Sequence, residues 1–461
     1  MRKCKFVPEL DPGFLPAAIW NENYRSQVSA CPGSLDIVVA LTRSNGAVSA
    51  WRTRILPHDT PTNRALNIKY VERAVKFLLW MKGGCTLTVA GCDALAEDLR
   101  NIYSADGARK FDFAMMGERI YGRPFTVVSV PLDQAPETAE PQVHLGGNFN
   151  GCRIGFDLGG SDRKCAAVID GKCVHTEEVV WDPYFQKDPA YHKDGIRDSL
   201  LRAAKHLPRI DGIGGSAAGV YVNNQPRLAS LFRGVSEEDF KRAIVPVFEE
   251  LAAEFKVPFV VANDGEVTAL AGAISMKSNG VLGMSMGTSE AGGYVTPAGN
   301  ITDWLNELAF CPVDYRDDAP VDEWSGDGGC GAQYFSQQAV ARLAPAAGIE
   351  FPSEMSFPKR LEAVQKLMED GDERARKIYS TIGVYFGYTI ARYAEFYDIS
   401  KLLILGRVTS GSGGELIIET GRKILAEEYP ALAEKIELRV PDEQFKRHGQ
   451  AVIAASLPEI G

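Results

Sequence analysis

The sequence has no Cys-x-x-Cys pair, no apolar run long enough to span a bilayer and no surplus of positive charge. Its nine cysteines (Cys4, Cys31, Cys85, Cys92, Cys152, Cys165, Cys173, Cys311 and Cys330) are odd in number and scattered. That argues against a disulfide framework and reads as reduced thiols in a cytoplasmic protein. Met1-Arg2-Lys3-Cys4 is followed by no apolar h-region, so neither secretion nor membrane insertion is expected. A formal charge of −10 argues against an extended surface for nucleic acid or anionic membrane. What is present is ordinary for a soluble protein: 45% hydrophobic and 24% charged residues over 461 positions. That length suits two or three domains with ample core.

The most informative stretch runs from Cys152 to Lys172. An apolar run with Ile154 and Phe156 ends at Asp157, then Leu158-Gly159-Gly160-Ser161 turns into a second run, Cys165–Ile169, that closes on Asp170-Gly171. The pattern predicts a β-hairpin. Its Gly-Gly-Ser turn can bring backbone N–H groups and a hydroxyl close to an anion. Asp157 cannot hold phosphate, but it can hold a hydrated magnesium ion that does. A plain glycine-rich hairpin turn is the blander reading of the same residues.

Before this stretch, residues 1–35 read as irregular, with Pro8, Pro12, Pro16 and Pro32. A hairpin (Leu35–Leu41 and Val48–Leu56), a helix over Ile68–Met81, a strand Cys85–Ala90, a helix around Ala94–Tyr103 and a strand Phe125–Val130 follow. Leu132–Gly147 reads as a linker, which puts a domain boundary near 150. The order hairpin, helix, strand returns after 150, without Asp-x-Gly-Gly in the first copy; an inactive duplicate and a coincidence of a common α/β order are both open.

After 150, a helix Gly195–His206 leads to a strand Ile210–Ala217, and Glu237–Phe255 reads as one amphipathic helix. Strand Pro258–Ala262 ends at Asn263-Asp264 before a small-residue helix Val267–Met276. Strands alternating with helices imply a mostly parallel sheet with ligands at the carboxyl ends of its strands, where Asn263 and Asp264 stand. One of the two suffices as helix cap. A second hairpin, Val281–Met286 and Tyr294–Thr296, turns through Gly287-Thr288-Ser289-Glu290. The acidic loop Asp303–Gly331 is long enough to suggest a function. Three helices, strand Lys401–Leu405 with Gly406-Arg407, helix Glu415–Glu427, strand Ile436–Val440 and a closing helix Gly449–Leu457 complete the chain.

From about 152 to 461 the sequence resembles the ROK family of sugar kinases and repressors, within the actin-like ATPase superfamily. Asp157–Ser161 is similar to its first phosphate motif, Asn263-Asp264 to its Asn-Asp pair, Gly287-Thr288 with Gly292-Gly293 to its second phosphate motif, Gly329–Ser336 to its Gly-Cys-Leu-Glu-Ala-Tyr-Ala-Ser segment, and Leu405-Gly406 to its adenosine-side turn. The resemblance implies a two-lobed α/β fold of the actin-like, ribonuclease H-like kind with an additional N-terminal α/β domain. The divisions are 1–150, a first lobe 151–279 to which a closing helix 445–461 returns, and a second lobe 280–444. It implies ATP and Mg2+ as cofactors, with Asp157, Gly159, Gly160, Ser161, Gly287, Thr288 and Gly406 toward the nucleotide, and Asp157 toward magnesium through water. Asn263, Asp264 and Glu307 face the acceptor, and Asp264 is the catalytic base.

The departures are as specific. The family's Gly-Glu-x-Gly-His segment reads Asn306-Glu307-Leu308-Ala309-Phe310, which keeps the glutamate and replaces the histidine. Of the family's zinc ligands only Cys330 matches, with Cys311 near it, so no structural zinc is expected. The glutamate of the Gly-Cys-Leu-Glu segment is Ala332. Residues 1–150 have too many strands for a winged-helix repressor domain. A sugar kinase, a non-catalytic nucleotide- or sugar-sensing regulator, and a kinase of the glycerol/xylulose type are all carried forward. The expected partner is a small sugar or polyol, with neither nucleic acid nor membrane; a homodimer is left open.

Overall fold

A computed structural model describes residues 2–141, 145–440 and 449–460. Among these residues fifteen strands form four sheets. The N-terminal region builds the first, in the order β2-β1-β3-β4, from β1 (Leu35–Thr42), β2 (Val48–Ile55), β3 (Thr86–Ala90) and β4 (Thr126–Val130). Helix Pro61–Lys82 starts at Thr60, whose hydroxyl accepts from the Asn63 N–H at 3.2 Å. Proline at its first position suits a start, because the missing N–H is one that no helical carbonyl would accept.

Two expectations for this region need correction, and one alternative left open is decided. Residues 1–35 are not irregular throughout: Ala17–Ala30 is a helix that buries Ile19, Tyr24 and Val28. Pro16 and Pro32 bracket that helix, at its N-cap and just past its end, so the prolines mark boundaries. The stretch 132–147 is not a free linker on the residues described: Ala139 bridges Val48, and the Glu140 carboxylate pairs with the buried Arg43. Leu145 bridges Ile301, while 142–144 lie outside the described residues. Finally, β3 runs antiparallel to β1, whereas its counterpart after 150 runs parallel to the first strand of its hairpin. The shared element order is therefore not a duplicated fold.

The true repeat lies between the two later sheets. In the first lobe, β5 (Cys152–Leu158), β6 (Asp162–Ile169) and β7 (Lys172–Val180) form an antiparallel meander, and β8 (Gly212–Ala217) joins β5 in parallel. The small hairpin β9 (Val220–Val222) and β10 (Gln225–Leu228) follows, and β11 (Phe259–Asn263) completes the order β11-β8-β5-β6-β7. In the second lobe, β12 (Val281–Met286) and β13 (Glu290–Val295) are the hairpin, and β14 (Lys401–Leu405) and β15 (Glu437–Arg439) add in parallel to give β13-β12-β14-β15. Each lobe is a hairpin whose first strand continues into parallel strands, so both hairpin turns and the carboxyl ends of β5, β8, β11, β12 and β14 point at the space between lobes. The helix expected over Glu237–Phe255 is interrupted: a π-helical turn, Phe240–Ile244, and Pro246 separate Glu237–Asp239 from Val247–Phe255. The last helix, Gln450–Ala454, returns to pack on β5, β6 and β8.

The N-terminal sheet shares one continuous apolar core with the second lobe, joining Phe77, Trp80 and Leu87 to Leu282, Phe310, Tyr385 and Ile404. The acidic loop 303–331 lies on this seam. Asp327 pairs with Arg73 at 3.1 Å, with Lys76 at 3.3 Å and with Arg109, and Lys76 also holds Asp112 at 2.8 Å. Burial opposes ionisation of Asp327, but Arg73 and Lys76 outweigh it and hold its carboxyl below the usual range. Among the described residues no helix is long and apolar enough to cross a membrane.

Candidate active site

A cleft of about 700 Å³ separates the lobes, lined by Asp157, Lys164, Asp264, Thr268, Ser285 and Gln450 among others. Asp157 ends β5 opposite Ser216 of β8, whose hydroxyl donates to its Oδ1 at 2.7 Å. Burial, with help from the Asp264 and Asp162 carboxylates, pushes Asp157 up to about 6 against that hydroxyl and Lys164. From the other side Gln450 closes on it, its amide donating to both carboxylate oxygens at 3.0 and 3.1 Å, with the other amide atom 2.6 Å from Thr268 Oγ1.

Asn263 and Asp264 divide their work. Asn263 is the cap of helix Asp264–Met276: its Oδ1 accepts from the Gly265 N–H at 2.7 Å and its Nδ2 donates to the Gly219 carbonyl at 2.7 Å. Both ends of the side chain are thus anchored within the protein. Asp264 stands half-buried on the cleft wall, its Oδ1 accepting from the Gly265 N–H at 3.0 Å. Burial raises its pKa, and the described residues offer it no cation. Helix Asp264–Met276 can start this close to β13 only because Gly265 and Gly293 face each other: a Cβ on Gly293 would lie 2.1 Å from the Gly265 carbonyl oxygen. Glu307 is the third acid. Burial and the Asp264 charge push it up to about 7, which puts the two carboxyls within electrostatic reach of each other.

The turns are at the cleft's edges and not on its wall. Gly159 is fixed from behind, its carbonyl accepting from Trp181 Nε1 at 2.8 Å and its N–H donating to Asp162 O at 2.9 Å. Among the described residues the N–H groups of Gly160 and Ser161 have no backbone acceptor, and Ser161 is exposed. Thr288 is likewise exposed, beside Gly287, whose N–H donates to Ser289 O at 3.0 Å. Gly406 takes φ +103 and lies against the backbone of Met286, the residue before that turn; a Cβ there would meet Met286 O at 2.3 Å.

Two hairpin turns and a strand-end carboxylate around one interlobe cleft can be set against proteins of known structure. The chain is 25% identical over 305 residues to a glucokinase of Halalkalibacterium halodurans, covering 62% of this chain and 89% of that one. Its structure is similar to a ROK hexokinase from Thermus thermophilus, with a TM-score of 0.52 at 18% identity over 67% of this chain and 97% of the other. It is also similar, at 0.51 and 18%, to a ROK family transcriptional regulator homologous to the E. coli MLC protein, over 67% and 79%. No family model matches the chain. The chain has the fold of these ROK proteins.

Against the ROK pattern, the largest change surrounds Phe310. It is buried and stacks on Trp80 of the N-terminal region, ring centroids 4.1 Å apart, with Phe111 and Trp324 around it. Cys311 Sγ donates to the Phe77 carbonyl at 3.7 Å, and Cys330 Sγ to Asp327 Oδ2 at 3.5 Å. The space next to both thiols thus belongs to helix Pro61–Lys82 and its ion pairs. Sequence reasoning missed Gln450, Thr268, Glu266 and Asn306 as parts of the site. A polar Gln450 beginning an otherwise apolar closing helix was the one available signal for the first of these.

Proposed function

We propose that this ROK-fold protein is an ATP-dependent kinase that phosphorylates a hydroxyl of a sugar or sugar-like molecule. The observation that carries the reading is Asp264, a carboxyl with a raised pKa and no cation partner among the described residues, on the wall of the cleft near Asp157 and Glu307. In this reading Asp264 takes the acceptor hydroxyl's proton as the oxygen bonds to the γ-phosphorus and the β,γ-bridging oxygen leaves with ADP. Glu307 orients the acceptor, and Asn263 holds the strand end that presents Asp264. The N–H groups of Gly160, Ser161 and Thr288 receive the phosphates, in turns that Gly159 and Gly287 close by bonding their own N–H groups to Asp162 and Ser289, and Gly406 faces the adenosine. Asp157 would hold a hydrated magnesium ion. Asp157 and Asp264 bring two carboxylates to the cleft wall, hard oxygen donors that suit a divalent cation, and since no group of three or more acidic, histidine or cysteine side chains is clustered for a metal among the described residues, such an ion would keep water ligands. When bound, that ion offsets the charge of the phosphates. Similarity to a glucokinase supports the reading at the level of reaction class.

The same reading treats residues 1–150 as an added α/β unit, supported by its separate sheet, with lobes 151–279 and 280–444 and the closing helix returning to the first. A second reading, a sensor without phosphotransfer, is favoured by Phe310 and Ala332, which leave the acceptor side without two polar groups of the ROK pattern. ADP release from the wild type and Asp264→Asn across sugars, amino sugars and polyols separates the two. Turnover that depends on Asp264 supports the kinase. Nucleotide binding with no turnover on any acceptor supports the sensor.

A further inference from the structure

Asn306 opens the Asn306–Phe310 segment, at the position where the ROK pattern has glycine, and the proposed reaction assigns its side chain no role. It is buried and takes φ +50, a left-handed conformation that asparagine tolerates better than most residues. Its N–H donates to the Met81 carbonyl and the Glu307 N–H to the Trp80 carbonyl, both at 2.9 Å. Two terminal carbonyls of helix Pro61–Lys82, left without partners in the helix itself, therefore hold this segment. Its side chain is anchored at both ends: Nδ2 donates to Glu266 Oε1, and Oδ1 accepts from the Tyr397 hydroxyl at 2.6 Å. Glu266 in turn is buried two residues after Asp264 on the same helix, its Oε2 accepting from the Tyr294 N–H at 3.1 Å.

A buried carboxyl without a cation is costly, and an apolar side chain would fill the place more cheaply if packing were its only duty. What Glu266 does instead is tie the helix that carries Asp264 to the residue that precedes Glu307. We infer that Glu266 and Asn306 are positioning residues: together they fix Glu307 relative to Asp264 and so set the geometry in which the acceptor is bound. The inference rests on the kinase reading for the reaction it serves. It gives the N-terminal region a role in that geometry, because the other side of the same segment hangs on Trp80 and Met81.

Steady-state kinetics of the full-length protein test it, with KM for the best acceptor, KM for ATP, kcat and Tm read together. Asn306→Gly keeps the left-handed backbone and deletes the side-chain link, so it should raise acceptor KM by ~10-fold or more with ATP KM within ~2-fold, while the Glu266 and Tyr397 groups left unpaired lower Tm. Glu266→Gln combined with Asn306→Asp exchanges amide and carboxyl, so every donor again meets an acceptor. This double variant should return acceptor KM to within ~3-fold of wild type. A wild type that turns over while Asn306→Gly leaves acceptor KM unchanged overturns the inference alone. So does a loss that the double variant does not rescue, or one in which both KM values rise together. A wild type with no turnover on any acceptor overturns the kinase reading and this inference with it.

Discussion

Gln450 donates to both carboxylate oxygens of Asp157, at 3.0 and 3.1 Å, so the last helix of the chain is bonded to the strand end that opens the first phosphate turn. The other end of the amide lies 2.6 Å from Thr268 Oγ1, and that hydroxyl donates to the backbone carbonyl of Asp264 at 2.7 Å, so the same contact reaches the first turn of the helix that carries Asp264. These donors favour the charged form of Asp157, whose pKa burial already pushes up to about 6. Gln450→Leu should therefore raise that pKa further, shift the acid limb of the kcat/KM profile for ATP to higher pH and increase the magnesium concentration needed for half-maximal rate. A pH profile and magnesium titration identical to wild type would reject the link.

Asp264→Asn should abolish phosphotransfer by roughly two orders of magnitude or more while nucleotide affinity and Tm stay near wild type. The cap is supplied by Asn263, so the helix start survives the change. Because burial raises the pKa of Asp264, the wild-type rate should fall on acidification at a pH above the ordinary aspartate value, the base being lost as it protonates. Wild-type turnover in a folded Asp264→Asn protein would remove Asp264 as the base.

Glu290 makes a stability prediction that involves no substrate. It is buried at the start of β13, with Oε1 accepting from the Tyr393 hydroxyl at 2.7 Å, and burial pushes it up to about 8. A carboxyl raised in the folded state binds its proton more tightly there than in the unfolded chain. Its stabilising contribution is full below the ordinary glutamate range and is lost as pH rises through about 8. Glu290→Gln should melt within ~1 °C of wild type at pH 5.5 and ~2 °C or more above it at pH 8.5. Parallel Tm curves across that range would contradict the assignment.

Lys76 concerns both the seam and the metal. It is fully buried between Asp112 and Asp327, beside the thiols of Cys311 and Cys330. Lys76→Ala would leave the buried Asp112 carboxylate without its cation and Asp327 with Arg73 and Arg109 alone, and should cost ~3–5 kcal/mol, read from denaturant unfolding. With that ammonium in place and Phe310 packed on Trp80, the purified untagged protein should carry less than stoichiometric zinc. Metal analysis finding one zinc per chain bound through Cys311 or Cys330 would overturn this.

Local patterns in the sequence determined the α/β class, both lobe hairpins and the three acids of the site. Asp157 and Asp264 terminate apolar strands, and Glu307 stands in a recognisable segment, so short-range order was enough to find them. Short-range order misled where one signal fits two structures. Pro16 and Pro32 read as marking irregular chain and instead bracket a helix, and the shared hairpin-helix-strand order left a duplicate and a coincidence open until pairing direction separated β1–β3 from β5–β8. Tertiary structure alone decided which residues complete the site. Gln450 reaches Asp157 because the closing helix packs back on β5, and Glu266 reaches Asn306 because β13 and the helix start touch backbone to backbone. It also decided that Phe310 faces Trp80 and that Trp80 and Met81 carry the Glu307 segment. Each of these contacts joins residues far apart in the chain through burial and hydrogen bonds that the packed lobes create, and neither periodicity nor spacing encodes such a pairing.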